Sequence, residues 1–94
     1  MIREKVFKIV SKVPKGKVIT YKIVAEKSGT GPRAVGKIMN INPDTKRVPC
    51  HRVVMSNGSL GGYASGIEKK IKLLKSEGIE INNGKIDLKR FLYE

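Results

Sequence analysis

The start of the chain alternates apolar and polar residues with the period of an α-helix. Within residues 2–13 the apolar positions share one face and lysines dominate the other; the apolar set is Val6, Ile9, Val10 and Val13. This spacing predicts a helix over 2–13 that packs one side against a core. Gly16 then predicts a turn, and Val18-Ile19 is long enough only for a brief strand.

Two further short helices are predicted, with a glycine-containing turn between them. Thr20 is placed to cap a helix over 21–28, and Pro32 stands at the first position of the next helix, where proline is favoured. In that third helix Val35, Ile38 and Met39 face inward, and Arg33, Gly36, Lys37 and Asn40 face outward. A helix pair with a small and basic outer face, here over 20–41, is typical of a helix-turn-helix.

The second half of the chain predicts a long loop followed by one more helix. Residues 42–63 are assigned to the loop, because prolines, asparagines and glycines interrupt its apolar stretches. Ser65 and Glu68 form a capping box for a helix over 66–77, and Gly78 ends that helix. Its inward stripe comprises Ile67, Ile71 and Leu74.

The tail over 79–94 predicts a small hairpin centred on Asn83-Gly84, and residues 87–93 are long enough for a last helical turn. A chain of 94 residues supports a single domain, 1–94, with one modest core. The expected fold class is mainly α with small β additions, in the form of a winged-helix-like helix-turn-helix domain.

The charge of the chain is unusual for its size. Lys and Arg number 20 against 8 Asp and Glu, which gives a formal net charge of +12. This balance indicates a polyanionic partner, nucleic acid first and an anionic membrane surface second. The spacing of glycines and turns favours a compact fold over a membrane-surface peptide.

The single cysteine and the single histidine exclude several classes of protein. Cys50 has no second cysteine for an intramolecular disulfide, and a zinc finger needs four ligands of the Cys or His type. No metal and no cofactor are therefore expected. Because the apolar runs are short and the first residues do not form a signal peptide, we expect an intracellular, cytoplasmic protein.

Cys50 is the conspicuous nucleophile of the chain. A lone cysteine is often buried and inert, and a lone histidine such as His51 is often a structural residue bonded to backbone. Positive neighbours favour the reactive thiolate form, and three of them lie close in sequence: Lys46, Arg47 and Arg52. His51 could act as a base toward its neighbour through a turn or a bridging water, but a papain-type protease is disfavoured because no second histidine exists to serve as the usual base partner.

These residues resemble a known family. Pro49-Cys50-His51-Arg52-Val53 is similar to the active-site motif of the O(6)-alkylguanine-DNA alkyltransferases, or methylated-DNA–protein-cysteine methyltransferases. Arg33-Ala34-Val35-Gly36 resembles their recognition helix, and Gly16 to Tyr21 resembles the segment that enters their helix-turn-helix. Asn42-Pro43 stands at the family's spacing before Cys50, and the likeness continues through Gly61-Gly62-Tyr63 and Leu73 to Gly78. It covers about residues 3–78.

The resemblance implies a suicide DNA-repair reaction. The family binds duplex DNA from the minor groove, flips O(6)-alkylguanine out of the stack and takes up the alkyl group itself. Cys50 would attack the alkyl carbon and keep the group as an S-alkylcysteine. Each molecule, expected to be a monomer, would repair one lesion.

The resemblance also assigns roles to the residues around Cys50. His51 would accept the thiol proton through a water, Glu77 would orient His51, and Asn42 would brace the active-site turn. Tyr21 would press on the phosphate of the target nucleotide and donate a proton to the purine. DNA contacts would come from Arg33, which fills the gap left by the base, and from Ala34, Gly36, Lys37, Tyr21 and Arg52. The pocket would be lined by the Val53 carbonyl, Ser56, Tyr63 and Met39.

Each of these assignments has a plainer structural alternative. Tyr21 could be a core aromatic, Arg33 a solvated residue or a phosphate contact, and Tyr63 a loop-packing residue. Asn42 could be an ordinary turn residue, and Glu77 an exposed residue at a helix end.

The chain departs from the family pattern in three places. The usual amino-terminal domain is expected to be absent, since the helix over 2–13 begins at once. Asp44-Thr45-Lys46-Arg47-Val48 stands where the family is usually apolar, so small alkyl groups are expected to fit better than benzyl. Ala64-Ser65 replaces part of a Ser/Gly-rich loop, which would move or remove one hydroxyl contact in the pocket.

Two other functions compete with alkyl transfer. Small alkyltransferase-like proteins bind alkylated guanine and signal to nucleotide excision repair without transferring the group, and their reactive cysteine is usually replaced. The presence of Cys50 favours transfer. A winged-helix transcription regulator would explain Arg33 and the charge, but it leaves Cys50, His51 and Glu77 without a role.

Overall fold

A computed structural model describes residues 2–41, 47–63 and 66–93 of the chain. The expected class, mainly α with small β additions, is confirmed. In chain order the elements are α1 (Ile2–Ser11), β1 (Ile19–Thr20), α2 (Tyr21–Ser28), α3 (Pro32–Asn40), a 3₁₀ turn (Cys50–Arg52), β2 (Val53–Val54), α4 (Ile67–Ser76) and α5 (Leu88–Phe91).

The three amino-terminal helices enclose the first of two cores. α2 packs against both α1 and α3. Val10 of α1, Val24 of α2 and Val35 of α3 are fully buried where the helices meet. α1 ends two residues earlier than the apolar pattern predicts, because Pro14 disfavours a helical backbone at the residue before it. Val13 nevertheless stays buried in the same core.

Capping signals in the sequence fix the ends of α2 and α3. The Thr20 hydroxyl accepts a hydrogen bond of 3.1 Å from the Ile23 amide, which confirms Thr20 as the N-cap of α2. The Gly29 amide bonds to the Ala25 carbonyl and closes α2. Pro32 then opens α3, as the sequence predicts. The helix-turn-helix prediction is therefore confirmed.

A two-stranded parallel sheet joins the two halves of the molecule. Ile19 of β1 pairs with Val53 of β2, and Thr20 pairs with Val54. β1 leads directly into Tyr21, while β2 directly follows the turn that begins at Cys50. The sheet therefore ties the start of α2 to the segment that carries the cysteine.

The carboxyl-terminal residues complete a second core on the other side of the sheet. The predicted hairpin is confirmed: Asn82 and Lys85 pair across a turn in which Asn83 and Gly84 both have positive φ. The predicted last helical turn is α5, capped by Asp87. The buried side chains of this second core are Val18, Val54, Leu60, Leu74, Ile79, Ile86 and Phe91.

The start of α4 differs from its prediction. Its N-cap is Gly66, which offers no side chain to the helix, and Ser65 of the predicted capping box lies outside the described residues. Ile67, assigned to the buried stripe, is 42% exposed, whereas Lys70 is fully buried. The Lys70 stem fills the inward position because its ammonium finds polar partners inside the molecule. The turn predicted at Asn42-Pro43-Asp44 also lies outside the described residues.

Candidate active site

Cys50 lies at the wall of a cavity of about 580 Å³ between the helix-turn-helix and the loop that follows β2. It opens the 3₁₀ turn, its amide bonds to the Val48 carbonyl at 2.8 Å, and it is 4% exposed. The cavity is lined by Tyr21, Lys22, Pro32, Arg33, Gly36, Lys37, Met39, Asn40, Cys50, Met55, Ser56, Gly62 and Tyr63. This volume is in the usual range for small-molecule pockets.

His51 and Glu77 form a hydrogen-bonded pair beside the cysteine. His51 Nε2 lies 3.0 Å from Glu77 Oε2, and both side chains are less than a tenth exposed. Burial lowers the pKa of His51 by more than Glu77 raises it, so the ring is neutral at pH 7. Because a carboxylate only accepts, Nε2 carries the proton and Nδ1 is left as the acceptor. The ring is thus prepared to take a proton at Nδ1.

Arg52 supports this pair from inside the protein. Its Nε and Nη2 donate to the two Glu77 oxygens at 2.9 and 2.6 Å, and its Nη1 donates to the Val13 carbonyl at 2.8 Å. Burial alone raises the pKa of Glu77. The hydrogen bonds from Arg52 and His51 lower it by a larger amount, so the pKa of Glu77 lies below its usual value. The guanidinium of Arg52 holds Glu77 and does not line the cavity, and the DNA contact expected of Arg52 stays a prediction.

Two tyrosines face the cysteine from opposite parts of the fold. Tyr63 lines the cavity together with Cys50, and burial followed by the charge of the cysteine raises the pKa of Tyr63 to about 12. Tyr21, at the first position of α2, also lines the cavity, and burial with a smaller contribution from Cys50 raises its pKa. Both phenols are therefore protonated donors at neutral pH.

Lys70 is a site residue that the sequence analysis missed. It is fully buried, and its ammonium donates to the Val53 carbonyl at 2.8 Å, to Leu60 at 2.5 Å and to Gly62 at 3.1 Å. Burial lowers the pKa of Lys70 to about 8, against a smaller opposite effect from Cys50. The ammonium lies 5.8 Å from the centre of the Tyr21 ring. Lys70 stands four residues before Leu74, which places it on the buried side of α4. This spacing is the feature of the sequence from which its burial could have been predicted.

The outer face of α3 forms the rim of the cavity. Arg33 and Lys37 are exposed and line it, and Gly36 leaves open space where other residues carry a Cβ. Ala34 is half-buried and does not line the cavity. The exposed basic side chains and the small residue between them are thus presented beside the opening.

The predicted pocket residues are brought together with one exception. Met39, Ser56 and Tyr63 line the cavity. Val53 is fully buried and does not line it; its carbonyl accepts from Lys70. Asn42, predicted to brace the turn, lies outside the described residues.

The described residues contain neither a metal-binding cluster nor a membrane-spanning helix. Within residues 2–41, 47–63 and 66–93, no three Cys, His, Asp or Glu side chains gather where they could hold a metal ion. In the same ranges, no helix combines the length and apolar character needed to cross a bilayer.

Comparison with known families identifies the domain. The family described as "6-O-methylguanine DNA methyltransferase, DNA binding domain" matches residues 1–79. The chain belongs to this family. The methylated-DNA–protein-cysteine methyltransferase of Metallosphaera sedula is 55% identical over 76 residues, which cover 81% of this chain and 48% of that protein. The chain spans about half, or less, of the length of the curated relatives it matches.

Solved structures of the methyltransferase family share the fold. The O6-methylguanine-DNA methyltransferase of Pyrococcus kodakaraensis matches with a TM-score of 0.75 and 47% identity over 82% of this chain and 46% of that one. S. pombe Atl1, solved with damaged DNA containing O6-carboxymethylguanine, matches with a TM-score of 0.88 and 29% identity. That match covers 99% of this chain and 94% of Atl1. Family membership and the helix-turn-helix fold are therefore shown.

Proposed function

We propose that this domain binds duplex DNA containing O(6)-alkylguanine and transfers the alkyl group to Cys50, once per molecule. The observation that carries the proposal is the position of Cys50. Its side chain is at the wall of a cavity whose rim is the basic face of α3, with a hydroxyl donor on one side and a neutral histidine next to it. A nucleophile, a proton acceptor and a DNA-facing helix thus meet at one opening.

Binding to DNA is assigned to the outer face of α3. Arg33 and Lys37 supply charge for phosphates, and Gly36 lets the helix approach the floor of the minor groove. Arg33 enters the duplex and takes the place of the flipped guanine, with Ala34 beside it on α3. Tyr21 presses on the phosphate of the flipped nucleotide. The base enters the cavity, since a group inside the stack is out of reach of Cys50.

The transfer step follows from the protonation states around Cys50. The thiol proton passes through a water to Nδ1 of His51, which Glu77 holds in the required tautomer. The sulfur attacks the alkyl carbon, and the bond from that carbon to O6 breaks with its electron pair moving into the purine. Tyr21 donates its proton to the purine and is reprotonated from solvent, while His51 returns its proton to solvent. The products are S-alkylcysteine and guanine.

The remaining pocket residues determine which lesions fit. Ser56 and Tyr63 offer hydroxyls to the base, and Met39 packs against it from α3. The Val53 carbonyl, assigned to the base pocket by the family pattern, accepts from Lys70 behind the cavity wall. Asn42 is assigned to bracing the turn before Cys50. Small alkyl groups are proposed as the preferred substrates.

Base analysis of the substrate tests the proposal. A duplex with one O(6)-methylguanine is incubated with the protein, digested, and its bases are separated. We expect guanine to replace O(6)-methylguanine up to one equivalent per protein molecule, and no replacement with Cys50→Ser. Turnover beyond one equivalent, or conversion by Cys50→Ser, would refute transfer to this cysteine.

A second candidate is lesion recognition without transfer. The match to S. pombe Atl1 favours it, because it covers nearly the whole of both chains and that structure holds DNA with an alkylated guanine. The same base analysis separates the two candidates. Selective binding of the lesion duplex by a protein that leaves O(6)-methylguanine intact would assign this second function.

A further inference from the structure

The carboxyl-terminal segment, residues 80–93, lies beyond the family match, which ends at residue 79. It nevertheless touches two separate parts of the fold that lead to the cavity. Its hairpin contacts the loop after β2, and its last residues run beside the strand position that precedes β1. Ile86 and Phe91 anchor it in the second core.

The first contact is with the loop that carries Met55 and Ser56, two residues of the cavity wall. The Ile86 amide donates to the Gly58 carbonyl at 2.8 Å, and Ser59 pairs with Lys85 in an antiparallel bridge. The loop is closed on itself, because the Met55 amide bonds to the Ser59 carbonyl at 2.8 Å. A shift at Gly58 is therefore passed on to Met55 and Ser56.

The approach of the two backbones at Gly58 leaves no room for a side chain. A Cβ built there would lie 2.5 Å from the Ile86 carbonyl oxygen, and Gly58 has a φ of +89°. A backbone carbonyl in a paired segment cannot move aside alone. The hairpin and the pocket loop are thus in direct contact at this residue.

The second contact is with the segment that enters α2. Val18 donates its amide to the Phe91 carbonyl at 2.9 Å and accepts from the Tyr93 amide at 2.8 Å, so Leu92 lies parallel to Val18. Two residues further on, Thr20 caps α2 and Tyr21 begins it. The segment therefore holds the strand β1 that leads directly into Tyr21, a residue of the cavity wall.

We propose that residues 80–93 are a positioning element for the substrate pocket, which holds the Met55–Ser56 wall and the Tyr21 wall at a fixed separation. The proposal rests on the proposed function for its substrate. The segment acts on lesion recognition and transfer through the pocket walls. It leaves general DNA binding unchanged, because that is assigned to α3.

Two glycine variants test the proposal as a matched pair. In Gly58→Ala the new methyl group meets the Ile86 carbonyl. Gly84 lies at the tip of the carboxyl-terminal hairpin with a φ of +74°, and the methyl group of Gly84→Ala meets no atom within 4 Å. Both carry the strain of a left-handed alanine, so they differ in the contact alone. For each variant, transfer rate per folded molecule and affinity for lesion and undamaged duplexes are measured.

We expect Gly58→Ala to lower the transfer rate by about 10- to 100-fold, since displacements near 1 Å have effects of this size. Its preference for the lesion duplex is expected to fall too, with affinity for undamaged duplex kept within about twofold of the parent value. Gly84→Ala is expected to behave as the parent. Equal losses in both variants, or parent-like rate and preference in folded Gly58→Ala, would overturn the proposal.

Hydrogen exchange covers the case in which Gly58→Ala does not fold. In Cys50→Ser protein, the Ile86 and Tyr93 amides are expected to exchange more slowly with the lesion duplex than with undamaged duplex. No difference between the duplexes would contradict the positioning role. Failure of the proposed function gives a different result, because the parent protein then does not transfer the alkyl group. In that case the preference for the lesion duplex and the hydrogen-exchange rates still test the role of residues 80–93.

Discussion

At the scale of single residues, the chemistry depends on which groups carry protons at pH 7. Glu77 is ionised because Arg52 and His51 both donate to it, and His51 is neutral because burial outweighs that carboxylate. Tyr21 and Tyr63 stay protonated because burial and the nearby cysteine raise the pKa of both phenols. At pH 7 the site therefore has a proton acceptor in the neutral His51 ring and two protonated hydroxyl donors, Tyr21 and Tyr63.

The neutral state of His51 predicts an acid limit to transfer. Because the pKa of His51 is lowered from its usual 6.5, the rate is expected to hold from neutral pH to about 6.5 and to fall at lower pH as the ring charges. Single-turnover rates between pH 5 and 8 measure this. Glu77→Gln is expected to slow transfer throughout the range, since its amide no longer fixes the tautomer. A rate that stays independent of pH over the whole acid range in which the protein remains folded would be incompatible with His51 as acceptor.

Lys70 predicts an unusual alkaline gain in stability. Its pKa is about 8 when folded and 10.5 when unfolded, so between these values the unfolded chain binds more protons and stability rises with pH. The shift corresponds to a gain on the order of 3 kcal/mol at most. Tyr63, with a pKa of about 12 when folded, opposes the gain above pH 10. Urea unfolding from pH 7 to 10 measures it.

Lys70→Met is the control for that measurement. It leaves three carbonyls without a donor and is expected to lower stability at pH 7 by about 1–3 kcal/mol. It is also expected to remove the part of the alkaline gain that belongs to this side chain. An identical pH dependence in both proteins would show that Lys70 is not the source of the gain.

The resemblance to the alkyltransferases predicted the grouping of Cys50, His51 and Glu77, and the structure places His51 and Glu77 in contact. The burial of Lys70 was not predicted. A lysine is usually exposed, whereas its position along α4 is on the buried side of the helix. Lys70 can be buried only because carbonyls of β2 and the following loop accept hydrogen bonds from its ammonium, and these contacts are not visible in the sequence. The inward hydrogen bonds of Arg52 were not predicted either. Its partners Val13 and Glu77 lie 39 and 25 residues away in sequence.

At the scale of elements, α3 and the sheet together define the opening. α3 presents Arg33 and Lys37 at the rim, and the pairing of β1 with β2 brings the start of α2 beside the Cys50 turn. The ends of α2 and α3 were predictable because capping by Thr20 and Pro32 is local. The start of α4 was not, because Gly66 caps it without a side chain and tertiary contacts decide which face is buried.

The role of α3 predicts a variant that separates base flipping from chemistry. Arg33→Ala is expected to slow transfer from duplex DNA by about tenfold or more, because nothing fills the gap left by the base. Transfer from free O(6)-alkylguanine needs no flipping and is expected to be unchanged. Arg3→Ala, at an exposed position on α1, is the matched control. Equal losses on duplex and free base would place Arg33 in the chemical step.

At the scale of the whole molecule, the net charge of +12 predicts that the proposed DNA binding depends strongly on salt. The plot of log affinity against log salt concentration is expected to become shallower by about 0.9 in Lys37→Ala, for one lost phosphate contact. Lys89→Ala, an exposed residue of α5, is expected to leave the slope unchanged. If both variants change the slope equally, the charge acts diffusely and α3 is not the docking face.

The most direct test is the mass of the intact protein after incubation with a duplex bearing one O(6)-methylguanine. Transfer predicts that each molecule exchanges one hydrogen for one methyl group, that the added mass maps to the peptide containing Cys50, and that Cys50→Ser gains nothing. An unchanged mass in protein that binds the lesion duplex selectively would contradict transfer and assign the domain to lesion recognition alone.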